Sequence, residues 1–446
     1  MALPTFHGAH KPHSSSSSST NGPAIANGHL HSLVILENGT VKAFGRSNYG
    51  QLGQGNTATI GDNANEMGDN LAPVDLGSGR TAIAVASGIY HSVAILDNGT
   101  VKAWGYNSYG QLGQGSSANI GDGANEMGDN LAAIDLGSGR TATAIAAGFY
   151  HTVALLDNGT VKAWGYNSYG QLGQGNTTNI GDNANEMGDN LAPVDLGSGR
   201  TATAIAAGLY STAAVLDDGT VKIWGFNSHG QLGQGNTVTI GDGANEMGDN
   251  LTAVDLGTGR TATDVSIGYT NSMALLDNGT VKVWGQGAVG YNGQGANTNN
   301  LGDGANEMGD NLTAVDLGTG RTAVKIFAGY RQCAALLDNG TVKAWGYNYY
   351  GQLGQGNTTN IGDNANEMGD NLPAIDLGSG RTATDITVGT YLMSAVLDDG
   401  TVKSWGYNSY GQLGQGNTNH IGDGANEMGD NLSSIDLSSS SDKVLQ

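Results

Sequence analysis

Between residues 144 and 157 the chain carries two short apolar runs, AIAA (144–147) and HTVALLD (151–157). Both faces of their alternation are apolar, the pattern of strands covered on two sides. Asp157-Asn158-Gly159 follows, and an Asn-Gly pair predicts a tight hairpin with positive φ at both central residues. TVKAWG (160–165) then reads as the return strand, and APVDL (192–196), beyond a Gly- and Asn-rich stretch, as a fourth. No amphipathic window of helical period interrupts the pattern, which excludes a stack of helix pairs. One unit is therefore expected to be four short antiparallel strands, the size of a propeller blade.

The unit recurs along the chain. GTVKxWG, with Phe for Trp once, starts at Gly39, Gly99, Gly159, Gly219, Gly279, Gly340 and Gly400, and NEMGDNL occurs seven times between Asn65 and Leu432. Repetition at a fixed period marks a repeat array. The array runs from residue 23 to 437. Residues 1–22, rich in Ser, and 438–446 read as disordered tails. The expected fold is all-β: a closed seven-bladed β-propeller of about 60-residue repeats with four-stranded antiparallel blades. Its ends are cut between an IDL segment and the next AIAA-type strand. If that cut falls within a blade, the first and last segments pair and bury both edges.

The phased elements of AxAAGxxHTVALLDNGTVKAWGYNSYGQLGQGNT closely resemble the regulator of chromosome condensation repeat, over essentially all of residues 23–437. The resemblance implies a seven-bladed propeller. The family's name-giving member, a guanine-nucleotide exchange factor that docks on nucleosomes, has a basic tail and a protruding wedge. Here the N-terminal tail holds a single Lys11 and no blade has an insertion longer than one residue. Other members, such as a propeller-type β-lactamase inhibitory protein, bind proteins only.

Composition narrows the partners. The chain has 75 Gly and only 6 Pro, which suits many tight turns, and a formal charge of −22. Such an acidic surface repels phosphate backbones, so nucleic acid is not an expected partner. Charge of this size also favours a soluble monomer unless the protein is built into an assembly. Cys333 is the single cysteine, no apolar run is long enough for a membrane span, and the N-terminus lacks the apolar core of a secretory signal. The compartment stays open.

Candidate chemistry mostly follows the repeat, which favours structural roles. His31, His91 and His151 share one blade position and are expected to satisfy nearby backbone groups. No catalytic residue or metal ligand is assigned: nucleophile elbow, phosphate loop and zinc spacing are all missing. The GDNANEMGDN loop (61–70) gathers Asp62, Asn63, Asn65, Glu66, Asp69 and Asn70. Calcium at these loops is conceivable, although loop-backbone hydrogen bonding explains the same residues. His7, His10 and His13 read as a solvated tail, and the NGT sequons have a sufficient reason in the hairpin turn. Arg80, Arg140, Arg200, Arg260, Arg321 and Arg381 recur once per blade, five residues after Asp75 and its copies. An ion pair, or an Arg-to-carbonyl bond locking adjacent loops, is expected there. The TVKxW lysines repeat likewise. Arg46, Arg331, Lys11, Lys325 and Lys443 fall outside these series and form no basic patch.

The copies disagree in two windows. One follows the Ala-Gly pair and contains Tyr90, Phe149, Tyr150, Tyr210, Tyr269, Tyr330, Arg331 and Tyr391; the other follows Trp-Gly and contains Tyr106, Tyr166, Tyr347 and Tyr407. If they share a face, that face is rich in Tyr, a residue enriched at interfaces. The fifth blade, with Gln286 and an extra residue near Asn299, departs most, centring contact near blades five and six. The reading is a non-enzymatic binding scaffold for a protein or peptide. A structural protein built from displayed propellers and a glycan-binding lectin are the alternatives.

Overall fold

The computed structural model describes residues 24–295, 299–437 and 444–445. The predicted tail 1–22, and residues 438–443 and 446 of the other, lie outside them. Seven separate antiparallel sheets follow one another along the chain, each of three strands in sequence order. The first is β1 (Ile25–Asn27), β2 (His31–Ile35) and β3 (Val41–Gly45). The third shows the unit whole: β7 (Ala142–Ala147), β8 (His151–Leu156) and β9 (Val161–Gly165). Every residue of β8 and β9 is buried, as expected for strands with a neighbouring sheet on each side.

The fourth strand does not form. The segment around Val194 gives one backbone bond to the sheet, Val194 N to Val161 O at 2.8 Å. Its other groups turn elsewhere. Pro193 has no N–H, Ala192 O accepts from Gln174 Nε2, and Asp195 O and Leu196 O accept from Gly248 N and Lys222 Nζ of the next unit. A ladder needs those groups free; here they tie one sheet to the next. The hairpin also departs from expectation. Gly159 alone has positive φ (77°), with Gly159 N bonded to Leu156 O and Leu156 N to Thr160 O. That is a three-residue loop ending in a left-handed glycine, which demands less of Asn158 than a two-residue turn.

The core lies between sheets rather than within them. Trp164 of the third sheet packs on Val93, Ile95 and Val101 of the second, and its Nε1 donates to Gln111 O at 3.1 Å. The first sheet has Phe44 here instead of Trp, and among the described residues Gln412 O keeps the bond from Ser32 Oγ without an indole donor. One such cluster joins Val396, Val402 and Ile435 of the seventh unit to Ile25, Val34 and Phe44 of the first. The succession of contacts thus returns to its start.

The return is made by a split strand. Ala82 opens the inner strand of the second sheet by pairing with Leu96 and donating to Gly39 O of the preceding hairpin. In the first sheet the same place is taken from the other end of the chain. Val444 pairs with Leu36, Val444 N donates to Gly400 O at 3.1 Å, and Leu445 N donates to Ile35 O at 3.1 Å. Ala24 then resumes the strand, its carbonyl accepting from Ile35 N. Val444 is fully buried, worth about 2 kcal/mol by area, with about 1 kcal/mol for each backbone bond. Ending the chain at Leu437 should therefore lower the urea midpoint by the equivalent of about 4 kcal/mol. An unchanged midpoint would show that this closure carries no load.

Inside the ring the first strands of successive sheets lie side by side. At one end each delivers a glycine: Gly28, Gly88, Gly148, Gly208, Gly268, Gly329 and Gly389. A Cβ on Gly148 would stand 2.5 Å from Gly208 O, and one on Gly389 would stand 2.7 Å from Gly28 O, so the crowded ring is continuous. Among the described residues no helix is long and apolar enough to cross a membrane.

Candidate functional site: the aromatic end of the ring

The two variable windows are adjacent in space because one backbone bond joins them in every sheet. Tyr106 N donates to Tyr90 O, Tyr166 N to Tyr150 O, Tyr347 N to Arg331 O and Tyr407 N to Tyr391 O, each at 2.8–2.9 Å. The second turn is fixed from beneath. Asn107, fully buried, donates to Ser116 O and Ala118 O and accepts from Leu112 N, while Gln111 Oε1 accepts from Tyr109 N.

Rings then meet at steep angles from sheet to sheet. Tyr49 lies 4.9 Å from Tyr106, Tyr109 4.8 Å from Tyr166, and Tyr169 4.8 Å from Phe226. A second arc runs from Tyr269 to Tyr330 (4.3 Å), Tyr391 (5.3 Å) and, through Tyr350, Tyr407 (4.7 Å). The arcs part at the fifth sheet, where Gln286 and Val289 stand in place of aromatics and Gly287 in place of the buried Asn. Val289 there holds a left-handed φ of 53°, strained for a β-branched residue. Phe149 reaches across the opening to stack near Tyr330, with ring centres 6.4 Å apart. Below it, residues of all seven sheets line a cavity of about 90 Å³. Every sequence-predicted face residue is thus at this end and half-buried among its neighbours. Sequence reading left Tyr109, Tyr169 and Tyr410 out of the set because they do not vary between most blades.

Burial, then neighbouring phenols, pushes Tyr210 up to about 12; burial does the same to Tyr391, with Tyr330 adding. Tyr150 rises for the same reasons. The face is therefore one of neutral rings near pH 7. Two cations interrupt it: Arg46 lies over the Tyr410 ring at 4.8 Å, and Arg331 over the Tyr330 ring at 5.2 Å, within the range of cation–π attraction.

The repeated polar residues are structural, though not always as expected. His151 Nε2 lies 3.0 Å from Thr212 Oγ1 of the next sheet, not against backbone. Thr212 gives its only proton to Gln171 O, so His151 must donate from Nε2, and its Nδ1 has no protein partner. His31 and His91 repeat the contact with Ser92 and Thr152. Burial holds all three imidazoles near pKa 3. The loop arginines do form ion pairs, but with a different carboxylate. Arg80 meets Asp97 at 3.2 Å within its own sheet, and Asp75 instead accepts from Gly77 N. These pairs are half-exposed and contribute about 0–1 kcal/mol each. Lys102 is buried and donates to Leu76 O and Gly128 O. In the GDNANEMGDN loop Glu66 Oε2 accepts from Gly61 N and Asn63 N, and Asn63 Nδ2 donates to Asp62.

One asymmetry escaped sequence reading. At the third position of the inner strand four sheets carry Ala24, Ala84, Ala144 and Ala204, and the others Asp264, Lys325 and Asp385. Lys325 Nζ bonds Asp385 at 2.8 Å, and burial, eased by the Val265 N–H and then by Lys325, lifts Asp264 to about 6. Aligning the strands position by position would have found it.

Repeat models described as regulator of chromosome condensation (RCC1) repeat match residues 24–51, 82–111, 142–171, 202–231, 262–294 and 323–352, and a second of that description matches 38–95 and 158–215. The chain belongs to the regulator of chromosome condensation repeat family. Within it the chain is similar to the ultraviolet-B receptor UVR8 of Arabidopsis thaliana, 27% identical over 88% of this chain and 78% of that protein. It is also similar to the human E3 ubiquitin-protein ligase HERC2, 28% identical over 77% of this chain but only 6% of that protein. Among solved structures, Prp20p of Saccharomyces cerevisiae superposes with a TM-score of 0.60 at 19% identity, covering 82% of this chain and 80% of that one. Human WBSCR16 gives 0.59 at 21%, covering 82% and 84%. Both likenesses concern the fold: a seven-bladed propeller whose blades here have three strands.

Proposed function

We propose that this propeller is a non-enzymatic binding scaffold whose aromatic end receives a protein or peptide. The observation that carries the reading is the coincidence of variation and place. The two windows that differ between otherwise near-identical blades lie on one face, joined pairwise by backbone bonds. That face is half-buried, tied down by hydrogen bonds beneath its turns and rich in Tyr, which offers contact area at small entropic cost. Blades five and six are its centre, since the aromatic belt opens at Gln286 and the closest ring pair, Tyr269 with Tyr330, borders the opening. The test is the double variant Tyr269→Ala, Tyr330→Ala beside the wild type in affinity purification with mass spectrometry. Two central Tyr anchors removed together should weaken a partner by about 30-fold or more, at an unchanged melting temperature. Identical captured sets would remove the face from consideration.

A further inference from the structure

We propose that the aromatic face selects a peptide segment in which one or two carboxylates stand among apolar side chains, and that Arg46 and Arg331 hold those carboxylates. The inference rests on the scaffold reading and specifies its partner. Six of the arginines are paired with aspartates at the ends of their strands: Arg80, Arg140, Arg200, Arg260, Arg321 and Arg381. The blade lysines from Lys102 to Lys403 bond carbonyls, Lys42 does so with Leu71 O, and Lys325 is paired with Asp385. Among the described residues this leaves Arg46 and Arg331, whose Nε atoms are buried without an acceptor in the protein.

Both lie on the aromatic face, and on the same side of it. Arg46 N donates to Leu30 O, next to His29, and Arg331 lies over Tyr330, whose ring is 5.3 Å from that of Tyr391. His29 and Tyr391 are themselves 6.2 Å apart. The two guanidinium groups therefore flank one short stretch of rings, Arg46–His29–Tyr391–Arg331. Each guanidinium carbon lies over a Tyr ring and each Nε is buried, which leaves the two terminal nitrogens as the groups that can meet a carboxylate with two parallel hydrogen bonds.

The surroundings restrict what fits. The turn segments 28–31 and 46–50, and their copies in the other six units, contain no Asp or Glu, in a chain that has 40. Outside them stand Asp62 and its copies on the neighbouring loops; Asp303 acts electrostatically on His229 of the face, and His420 of the face on Asp423. A run of carboxylates would meet that acidic margin. One or two carboxylates between apolar residues would reach the arginines and cover the rings.

Fluorescence anisotropy with four labelled peptides of equal length tests this: alternating Leu-Leu-Glu, the same with Gln for Glu, the same with Lys for Glu, and oligo-glutamate. The Leu-Leu-Glu peptide should bind at least about tenfold more tightly than the other three, and weaken as salt rises. Arg46→Gln with Arg331→Gln should abolish that preference at an unchanged melting temperature. Equal binding of the Gln peptide, or full retention by the arginine variant, overturns the carboxylate inference. If the preference is lost in the arginine variant but Tyr269→Ala, Tyr330→Ala binds as before, the ring-centred scaffold reading falls instead. Absence of binding by all four peptides overturns the inference as well.

Discussion

Replacing Gly148 with Ala should destabilise the propeller by about 3 kcal/mol or more, although the change adds a single methyl group. The added Cβ would stand 2.2 Å from His151 Cε1, 2.4 Å from its Nδ1 and 2.5 Å from Gly208 O. None of these can step aside. The imidazole is fixed to Thr212, and the Gly208 carbonyl belongs to the next inner strand, itself in contact with the one after. Overpacking of a rigid site costs about 1–3 kcal/mol, and backbone obstacles put this one at the upper end. Gly139 supplies the contrast. Its φ of 70° is left-handed, yet a Cβ there would meet nothing within 4 Å. Gly139→Ala should therefore cost only the backbone strain, about 1 kcal/mol. Urea unfolding followed by fluorescence of the buried tryptophans separates the two. Equal midpoints for the variants would mean that crowding between blades does not govern which residues the ring accepts.

That contrast bears on what could be read before the structure. The repeat count, the three strands and the aromatic windows were legible because each is written in local pattern: apolar runs, a DNG turn, positions that vary. What was missed depends on partners distant in the chain. APVDL looks like a strand, but whether it becomes one turns on Lys222 and Gly248 claiming its carbonyls from the next unit. Arg80 was matched with Asp75 by proximity in sequence, whereas antiparallel pairing of β4 (Ala82–Ser87) and β5 (His91–Leu96) brings Asp97 to it. The split closure was hidden for another reason. Ser replaces most of the GSGRT turn after Leu437, so Lys443-Val444-Leu445 no longer resembles Thr81-Ala82-Ile83, although Val444 and Leu445 do the same work. The Asp264–Lys325–Asp385 series is legible only when the departures from alanine are compared with one another rather than with known motifs.

Acid should unfold this protein before most of its carboxylates have taken up protons, and the buried histidines are the cause. His31, His91 and His151 are fully buried, and desolvation holds them near pKa 3. In the unfolded chain they titrate near 6.5. Between those values the unfolded state binds protons that the native state refuses, so stability falls as pH falls, by about 1.4 kcal/mol per pH unit for each imidazole. Three together give about 4 kcal/mol per unit once pH is well below 6.5, and His29, held near 4, adds to it over part of the range. Asp264 acts in the opposite sense. Its carboxyl is raised to about 6, so the native state takes a proton more readily than the unfolded chain between pH 6 and 4 and gains stability on acidification. One carboxyl offsets one imidazole, and the net slope stays strongly unfavourable. Stability should be flat above pH 7 and largely lost by about pH 4.5, measured as urea midpoints across pH. The chain itself suggests the control. At the equivalent position the fifth sheet has Asn271, buried, with its Nδ2 donating to Cys333 of the next sheet. The triple variant with Asn at positions 31, 91 and 151 keeps a donor toward Ser92, Thr152 and Thr212 and has nothing to protonate. It should hold its stability about one to two pH units further into acid. A triple variant that follows the wild-type curve would place the acid sensitivity elsewhere, in the loop carboxylates such as Asp129 that accept from Ser78.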